Sequence, residues 1–513
     1  MSLARRTWAA LGLMIGFYSM VIGISVAVFV VSSGLLTWLV GERQEQVFGM
    51  SAGLGLALFI MAFPSIIKRK PAGVRLDPKN QPELFDRLAR IAQLTGHKMP
   101  VEVILTTQAT AWALPFGMTG IGNKWVLGLG LPLIQTHTVS QFDAVLAHEF
   151  GHALVGDTRL SPIISETHSA IERVIDFLEA FCPPLKKPFA LYRRMFLRII
   201  LPTARGQECA ADRLAASVAG SDAIIESLRT LTRISEVTSD YFDWEVCCIS
   251  NAGFIPPVVE GFATKLSYPS VIASMDEALA KELAKSQPDD RDPHPHLAQR
   301  IAMLEQVAPC NNPDKTPALS LLRDLPSLEH QLIVSRMRVK NKKLKPIAWT
   351  DVGASVWIPT WERIAIEWSQ RIMGETIGSL FDRAGTLNSK GCQVFGIGLA
   401  CRLHRAGWTV ESGPGIHSLT KGALKLNPFE TVNQIAAGQF TREEWNARIS
   451  ALGLDPSMPL YPAPTIGRLV CNLPIRTEIK PAIAPSKEVH EPSIFFLFLA
   501  NSTIRSFPRV SRP

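Results

Sequence analysis

Residues 7–41 contain no charged side chain, and residues 47–67 form a second uncharged run, with only Glu42, Arg43 and Glu45 charged between them. A helix needs about 20 apolar residues to cross a bilayer, so each run predicts one span and together they predict a transmembrane hairpin over residues 1–72. The first run exceeds the apolar core of a cleaved signal peptide, and a second follows directly. Arg5 and Arg6 precede the first span, and Lys68, Arg69, Lys70 and Arg75 follow the second. The positive-inside rule then places both ends of the hairpin, and everything after residue 70, in the cytoplasm. The expectation is an integral protein of a bacterial inner membrane with two spans.

Composition agrees with that setting. Of 513 residues, 47% are hydrophobic, and the formal net charge is +8. The basic residues gather beside the hydrophobic runs and in one later cluster, without the aromatic interleaving of a nucleic-acid module, so the lipid bilayer is the expected partner and no nucleic acid is. Eight cysteines are scattered without the spacing of a disulfide framework, which fits a reducing compartment. Adjacent Cys247 and Cys248 read as two small buried apolar residues. The length calls for at least two folded units.

The chemistry is carried by His148-Glu149-Phe150-Gly151-His152. Thr138, Ser140 and Asp143 form a helix start signal, with Ser140 as N-cap and Asp143 at N3, and the apolar Phe142, Val145, Leu146 and Phe150 predict a buried amphipathic helix from Gln141 to about Val155. Four residues apart, His148 and His152 project from one face and can share one tetrahedral ion. Glu149, one step round, can reach a water on that ion without binding the ion itself. The flanks Ala144 to Ala147 and Ala153 to Val155 are apolar, so these polar groups are buried and need partners. A catalytic Zn2+, one per chain, supplies them.

Such an ion takes three protein ligands and keeps a position open. The helix-favouring, alanine-rich segment 205–216 places Glu208 and Asp212 one turn apart; Glu208 can bind the metal while Asp212 accepts a hydrogen bond from a ligand histidine. Glu172, with Asp176 one turn on, is the competitor, but its bulky neighbours would hold that helix farther from the histidines. A plain surface pair at 208 and 212 is the bland alternative.

With these residues in place, the chain resembles the HtpX-type membrane zinc metalloendopeptidases, relatives of the CAAX prenyl proteases within the gluzincin group. The resemblance covers approximately residues 1–310. It rests on the hairpin, on Val145 through His152 with Gly156-Asp157 beyond, on Glu208 with Ala211-Asp212, and on His294-Pro295 followed by Arg300-Ile301. It implies a zinc peptidase domain over residues 73–310 in which His294 and Arg300 lie near the active site, His294 serving a fourth metal position or stabilising an oxyanion, with simple packing as the alternative. Two departures stand out. Relatives often have two further spans between the histidine and glutamate helices, whereas Arg193, Arg194 and Arg198 interrupt residues 189–201 here, predicting an amphipathic helix packed on the domain or lying on the bilayer. An Asn-Ala-aromatic element is usual before the edge strand, where this chain has Thr110-Ala111-Trp112-Ala113. Short strands are still predicted over residues 101–105 and 124–131, with an exposed edge able to hold an extended substrate.

Beyond residue 310 the chemistry thins out. A basic linker is expected over residues 311–349, with Arg336, Arg338, Lys340, Lys342, Lys343 and Lys345, then a helical domain over 350–472 with helices near residues 361–373 and 428–452, a capping box at Thr441 to Glu444, and Trp349, Trp357, Trp361 and Trp368 in its core. Residues 473–513 read as a disordered tail in which the apolar residues 493–500 are too short to span. The fold class is therefore mainly α with a small β-sheet: a transmembrane helical hairpin, a gluzincin-like peptidase domain and a helical carboxy-terminal region. The expected activity is hydrolysis of peptide bonds in protein or peptide substrates at the cytoplasmic membrane face. A silent membrane scaffold with a structural zinc is the alternative, against which the intact Glu149 argues. Processing of prenylated proteins would need a chamber that two spans are too few to build.

Overall fold

A computed structural model describes residues 3–40, 56–57, 59–62, 73–115, 124–155, 161–285, 294–337, 343–385, 387 and 389–460. Contacts divide the chain into one unit containing Met1–Glu236 and Ser274–Asp324 and another containing Val237–Ala273 and Leu325–Val489.

The first unit opens with helix α1, Leu3–Val40. Within it, Trp8–Val31 is long and apolar enough to cross a membrane. Ile15, Ile22, Val26, Val30 and Val31 are exposed, so much of this helix's apolar surface is not covered by the described residues. The second predicted span lies outside the described residues, apart from helical residues 56, 57 and 59–62.

A four-stranded sheet follows, formed by β1 (Val74–Leu76), β2 (Glu102–Thr106), β3 (Ala111–Pro115) and β4 (Trp125–Gly130), with helix α2 (Pro82–Thr95) between β1 and β2. The spatial order is β1-β2-β4-β3, with β2 and β4 parallel and the two flanking pairs antiparallel. β3 is thus an edge, and β4 is buried along its whole length. Gly128 is obligatory there, because a Cβ would lie 2.0 Å from the Trp112 ring of β3. Leu84, Leu88, Ile91 and Ala92 form the buried stripe of α2, and Gly96, with φ of 69°, ends it in the left-handed conformation that glycine tolerates.

Helix α3, Val139–Val155, carries the two histidines. Ser140 is not its N-cap: the Thr138 hydroxyl accepts from the Gln141 amide and the Gln141 side chain accepts from the Thr138 amide, a reciprocal cap two residues earlier than the sequence predicts. Ser140 and Asp143 are drawn into tertiary contacts instead. The Ser140 hydroxyl accepts from the Asp314 amide, and Asp143 takes a two-pronged contact from Arg87 of α2. Residues 314–323 dock alongside, with the Ala318 amide donating to His137 and Gln81 bonding both backbone groups of Arg323. The expected linker is therefore structured over much of its length, and it continues into a helix at Leu325–Arg336. Arg338, Lys340 and Lys342 lie outside the described residues.

Helices α4, Ser161–Phe181, and α5, Lys186–Ala219, complete the unit's framework. Residues 189–201 are helical as expected and form part of the first half of the 34-residue α5, which continues through Pro202 to Glu208 and Asp212. Phe189 and Phe196 of this half, with Ala170, Ile171, Val174, Ile175 and Leu178 of α4, form one core with Met14, Phe17 and Val21 of α1. In the second half, Ala204, Ala211, Ala215, Ala216 and Ala219 are buried along one stripe. Small side chains let α5 approach α3 closely: a Cβ on Gly151 would lie 3.0 Å from the Ala211 Cα.

The second unit is helical around a core that includes Trp349, Trp357, Trp361, Trp408 and Trp445, with Trp368 only half-buried. It recruits Val237–Ala273 from within the segment that the sequence assigns to the peptidase domain. The capping box at Thr441 and Glu444 is present. The expected helix over residues 428–452 is two, Pro428–Ala436 and Arg442–Ala451, because Gly438 turns the chain with φ of 71°. A three-stranded antiparallel sheet at Thr409–Val410, Leu419–Lys421 and Leu424–Leu426 was not foreseen. Cys247 is exposed rather than buried, because its helix, Cys247–Asn251, turns that position outward. Residues 473–513 lie outside the described residues.

The Gly151 to Ala211 crossing has a measurable consequence. Gly151→Val forces α3 and α5 apart and is expected to destabilise the unit by about 1–3 kcal/mol, which lowers its melting temperature by several degrees. An unchanged transition in the detergent-solubilised protein would show that the helices do not meet there.

Candidate metal centre

The site lies where α3 crosses the second half of α5. The Nε2 atoms of His148 and His152 face each other 3.0 Å apart. Glu208 completes the group, with Oε1 3.2 Å from His152 Nε2 and Oε2 3.6 Å from His148 Nε2. One ligand atom from each residue lies within 4.8 Å of the others, an arrangement that could hold a metal ion. Glu208 is fully buried, and neither of its oxygens has a well-aligned hydrogen bond among the described residues. An anionic carboxylate buried in that state calls for a cation, so the donor set fits a metal.

Asp212, one turn beyond Glu208, lies behind His148, with Oδ1 3.0 Å from His148 Nδ1. Helix α6, Leu297–Leu304, brings Arg300 onto Asp212 through two bonds of 2.7 and 2.6 Å. Burial alone would raise the Asp212 pKa, but the Arg300 charge and hydrogen bonds reverse this and, with His148, hold the carboxyl well below the usual carboxylate range. The chain Arg300, Asp212, His148 therefore keeps the imidazole in one orientation, its Nε2 turned toward Glu208. Arg300 Nη2 also lies 3.8 Å from Glu208. His294 comes in from the segment before α6, with Nε2 3.6 Å from Glu208 Oε1.

Glu149 is buried beside the two histidines, and burial raises its pKa against the lowering pull of His152 and His148. For His152 burial lowers the pKa, but the neighbouring Glu208 carboxylate, 3.2 Å away, outweighs it and raises it to about 9. For Glu208 burial works upward, and the neighbouring charges of His294, His152 and His148 carry it well below the ordinary range.

All seven sequence candidates thus converge: His148, Glu149, His152, Glu208, Asp212, His294 and Arg300. Glu172 does not join them; it pairs with Arg193 at 3.0 Å and approaches His168 at 3.5 Å. The Arg87 to Asp143 pair, which fixes α3 to α2, escaped sequence reasoning because Asp143 read equally well as a local cap. The buried stripe of α2, with Arg87 off its edge, was the available signal.

Residues 78–308 match the model of peptidase family M48. That segment contains α2, the three strands β2 to β4 and every residue of the site, and the match supports a metallopeptidase. Comparison with curated proteins and with solved structures gave no match.

Two tests act on the site directly. Arg300→Met leaves the buried Asp212 without its charged partner and with His148 alone, an expected cost of about 3–5 kcal/mol, and should weaken metal binding about 10- to 100-fold. Arg300→Lys should recover only part of the loss, since an ammonium cannot make the two-pronged contact. Unaltered unfolding and affinity in Arg300→Met would contradict the assigned geometry. Because the metal-free His152 holds its proton up to about pH 9, a metal must displace that proton at neutral pH. Affinity should fall about tenfold for each unit that pH drops below 9, and calorimetry in buffers of different ionisation enthalpy should register proton release; uptake of metal without it would refute the coupling.

Proposed function

We propose that the protein is a membrane-anchored zinc metalloendopeptidase of the HtpX type that hydrolyses protein chains at the cytoplasmic face, in membrane-protein quality control. The observation that carries the reading is the buried group of two imidazoles and one carboxylate with Glu149 beside it. His148, His152 and Glu208 make the nitrogen and oxygen set of a catalytic zinc, which leaves a fourth position for water or substrate. A Zn2+ held there supplies Lewis-acid polarisation of water and of a peptide carbonyl.

Glu149 accepts the proton of the attacking water and passes it to the leaving amide nitrogen; its raised pKa suits both transfers. His294 donates a hydrogen bond to the oxyanion that develops on the scissile carbonyl. Asp212 and Arg300 position His148.

The edge strand β3 supplies the grip on substrate. The Gly130 amide donates to the Thr110 carbonyl at 2.9 Å, and Ala111 pairs with Leu129. In an antiparallel ladder the backbone groups of Trp112 and Leu114 then point to β4, while those of Ala111 and Ala113 point to the free edge. Pro115, next in that outward row, has no amide hydrogen and ends the donors. An extended peptide thus finds two residues with which to pair.

Anchoring follows from α1. Met14, Phe17 and Val21 of this helix pack on α4 and α5, which ties the candidate span to the peptidase unit. The uncharged run at residues 47–67 is taken as a second span that returns the chain to the N-terminal side of the membrane. Arg5 and Arg6 make that side cytoplasmic.

The test is Glu149→Gln in the detergent-solubilised protein. It should bind zinc as the wild type does and lose cleavage of an unfolded casein-type substrate by about 10²-fold or more. Undiminished cleavage would defeat the assignment.

A further inference from the structure

The second unit holds a cavity of about 310 Å3 whose lining comes from Val237–Ala273 and Leu325–Val489. One wall is the start of the helix Pro269–Leu283, another is the loop Gly415 to Ser418 that precedes the strand Leu419–Lys421, and Lys425 and Asn427 close a third side. Asp240–Val246 and Gly353–Trp357 are π-helical turns, a form frequent at functional sites, and both support this cavity. From the first, Asp240 and Glu245 hold Lys265, and Glu245 accepts the Gly415 amide. From the second, Trp357 packs edge-on against His417 with ring centres 5.0 Å apart, while Trp361 and Phe429 close round the same imidazole.

The charged residues that line the cavity are already matched. Lys265 serves Asp240 and Glu245, and Lys425 pairs with Glu411 at 2.6 Å. Neutral groups are left over. Tyr268, Ser270, His417, Ser418 and Asn427 also line it, and no hydrogen bond among the described residues engages the three hydroxyls, either His417 nitrogen or the Asn427 side-chain nitrogen. Ser418 is only 8% exposed, and a polar side chain placed that deeply costs stability when it has no partner. Burial, with the Lys265 charge nearby, holds the His417 pKa down at about 4, so at neutral pH the ring offers one donor and one acceptor. The Asn427 oxygen is taken by the Phe429 and Glu430 amides, which leaves its nitrogen to donate.

This mixture selects among ligands. A carboxylate or phosphate only accepts and would strand the acceptors of His417 and the hydroxyls; an ammonium only donates and would strand Asn427. A ligand hydroxyl does both. Pro269 and Ile416 give such a ligand an apolar wall, and the volume lies at the small end of ligand sites, which run from about 300 to 1,000 Å3. We propose that this cavity binds an uncharged, hydroxyl-rich ligand of about the size of one sugar ring, held by Tyr268, Ser270, His417, Ser418 and Asn427. The inference rests on neither the membrane anchor nor the zinc chemistry, and it makes the second unit a ligand-binding module.

The full chain, purified in a detergent without a sugar headgroup, is titrated calorimetrically with glucose, galactose, mannose and inositol, and in parallel with phosphate, glutamate and putrescine. At least one neutral ligand should bind with a Kd of about 1 mM or tighter. Its affinity should hold as salt rises from about 0.1 to about 1 M, because no net charge is there to be screened. The variant Tyr268→Phe, Ser270→Ala, Ser418→Ala removes three hydroxyls without adding bulk and should weaken that binding about tenfold or more. If this variant loses the wild-type circular dichroism, Tyr268→Phe alone decides, with a loss of about three- to tenfold expected and full affinity contradicting the proposal. No binding by any of the four neutral ligands would overturn it, as would binding that the folded triple variant keeps. So would tighter binding of phosphate, glutamate or putrescine that the triple variant loses.

Discussion

A carboxylate with almost no access to water, set among imidazoles, is the feature on which the first unit depends. Glu208 has to lose its hydration to sit between α3 and α5, and only opposite charge recovers that cost. His152, His148, His294 and Arg300 approach from three different segments. The glycine and alanines at the helix crossing exist to let them do so. Asp212 serves the same balance one turn on, since it binds Arg300 and turns His148 toward the centre. The surrounding structure fixes these groups in advance: Arg87 joins α2 to α3, and residues 314–323 close over the start of α3.

This arrangement explains why the match to peptidase family M48 spans residues 78–308. The segment begins near α2 and ends just beyond α6, so it encloses each element that contributes a side chain to the site. The second unit lies mostly outside it, with a tryptophan-rich core of its own.

Local chemistry was readable in the sequence where one helix carries it. The four-residue spacing of His148 and His152 and the alanine stripe around Glu208 each state a geometry without reference to the rest of the chain. Arg300 and His294 were within reach only through resemblance, because nothing near them in sequence says what they face. Readings failed where a residue has both a local and a distant option. Ser140 and Asp143 look like caps, but Asp314 and Arg87 claim them. The basic residues after position 311 looked like a solvated linker, although the stretch just before them carries backbone groups that pair with Gln81, His137 and Ser140. In the second unit, Gly438 inside an otherwise helical pattern was the sign of a break, and the short strands after residue 408 are too brief to show alternation.

The proposed centre can be measured most directly by zinc X-ray absorption on the purified full chain. The account predicts one Zn2+ per chain with only nitrogen and oxygen neighbours at about 2.0–2.2 Å, two of them imidazole. A zinc to sulfur shell at about 2.3 Å, which would bring in Cys209 beside Glu208, or the absence of bound metal, would contradict it.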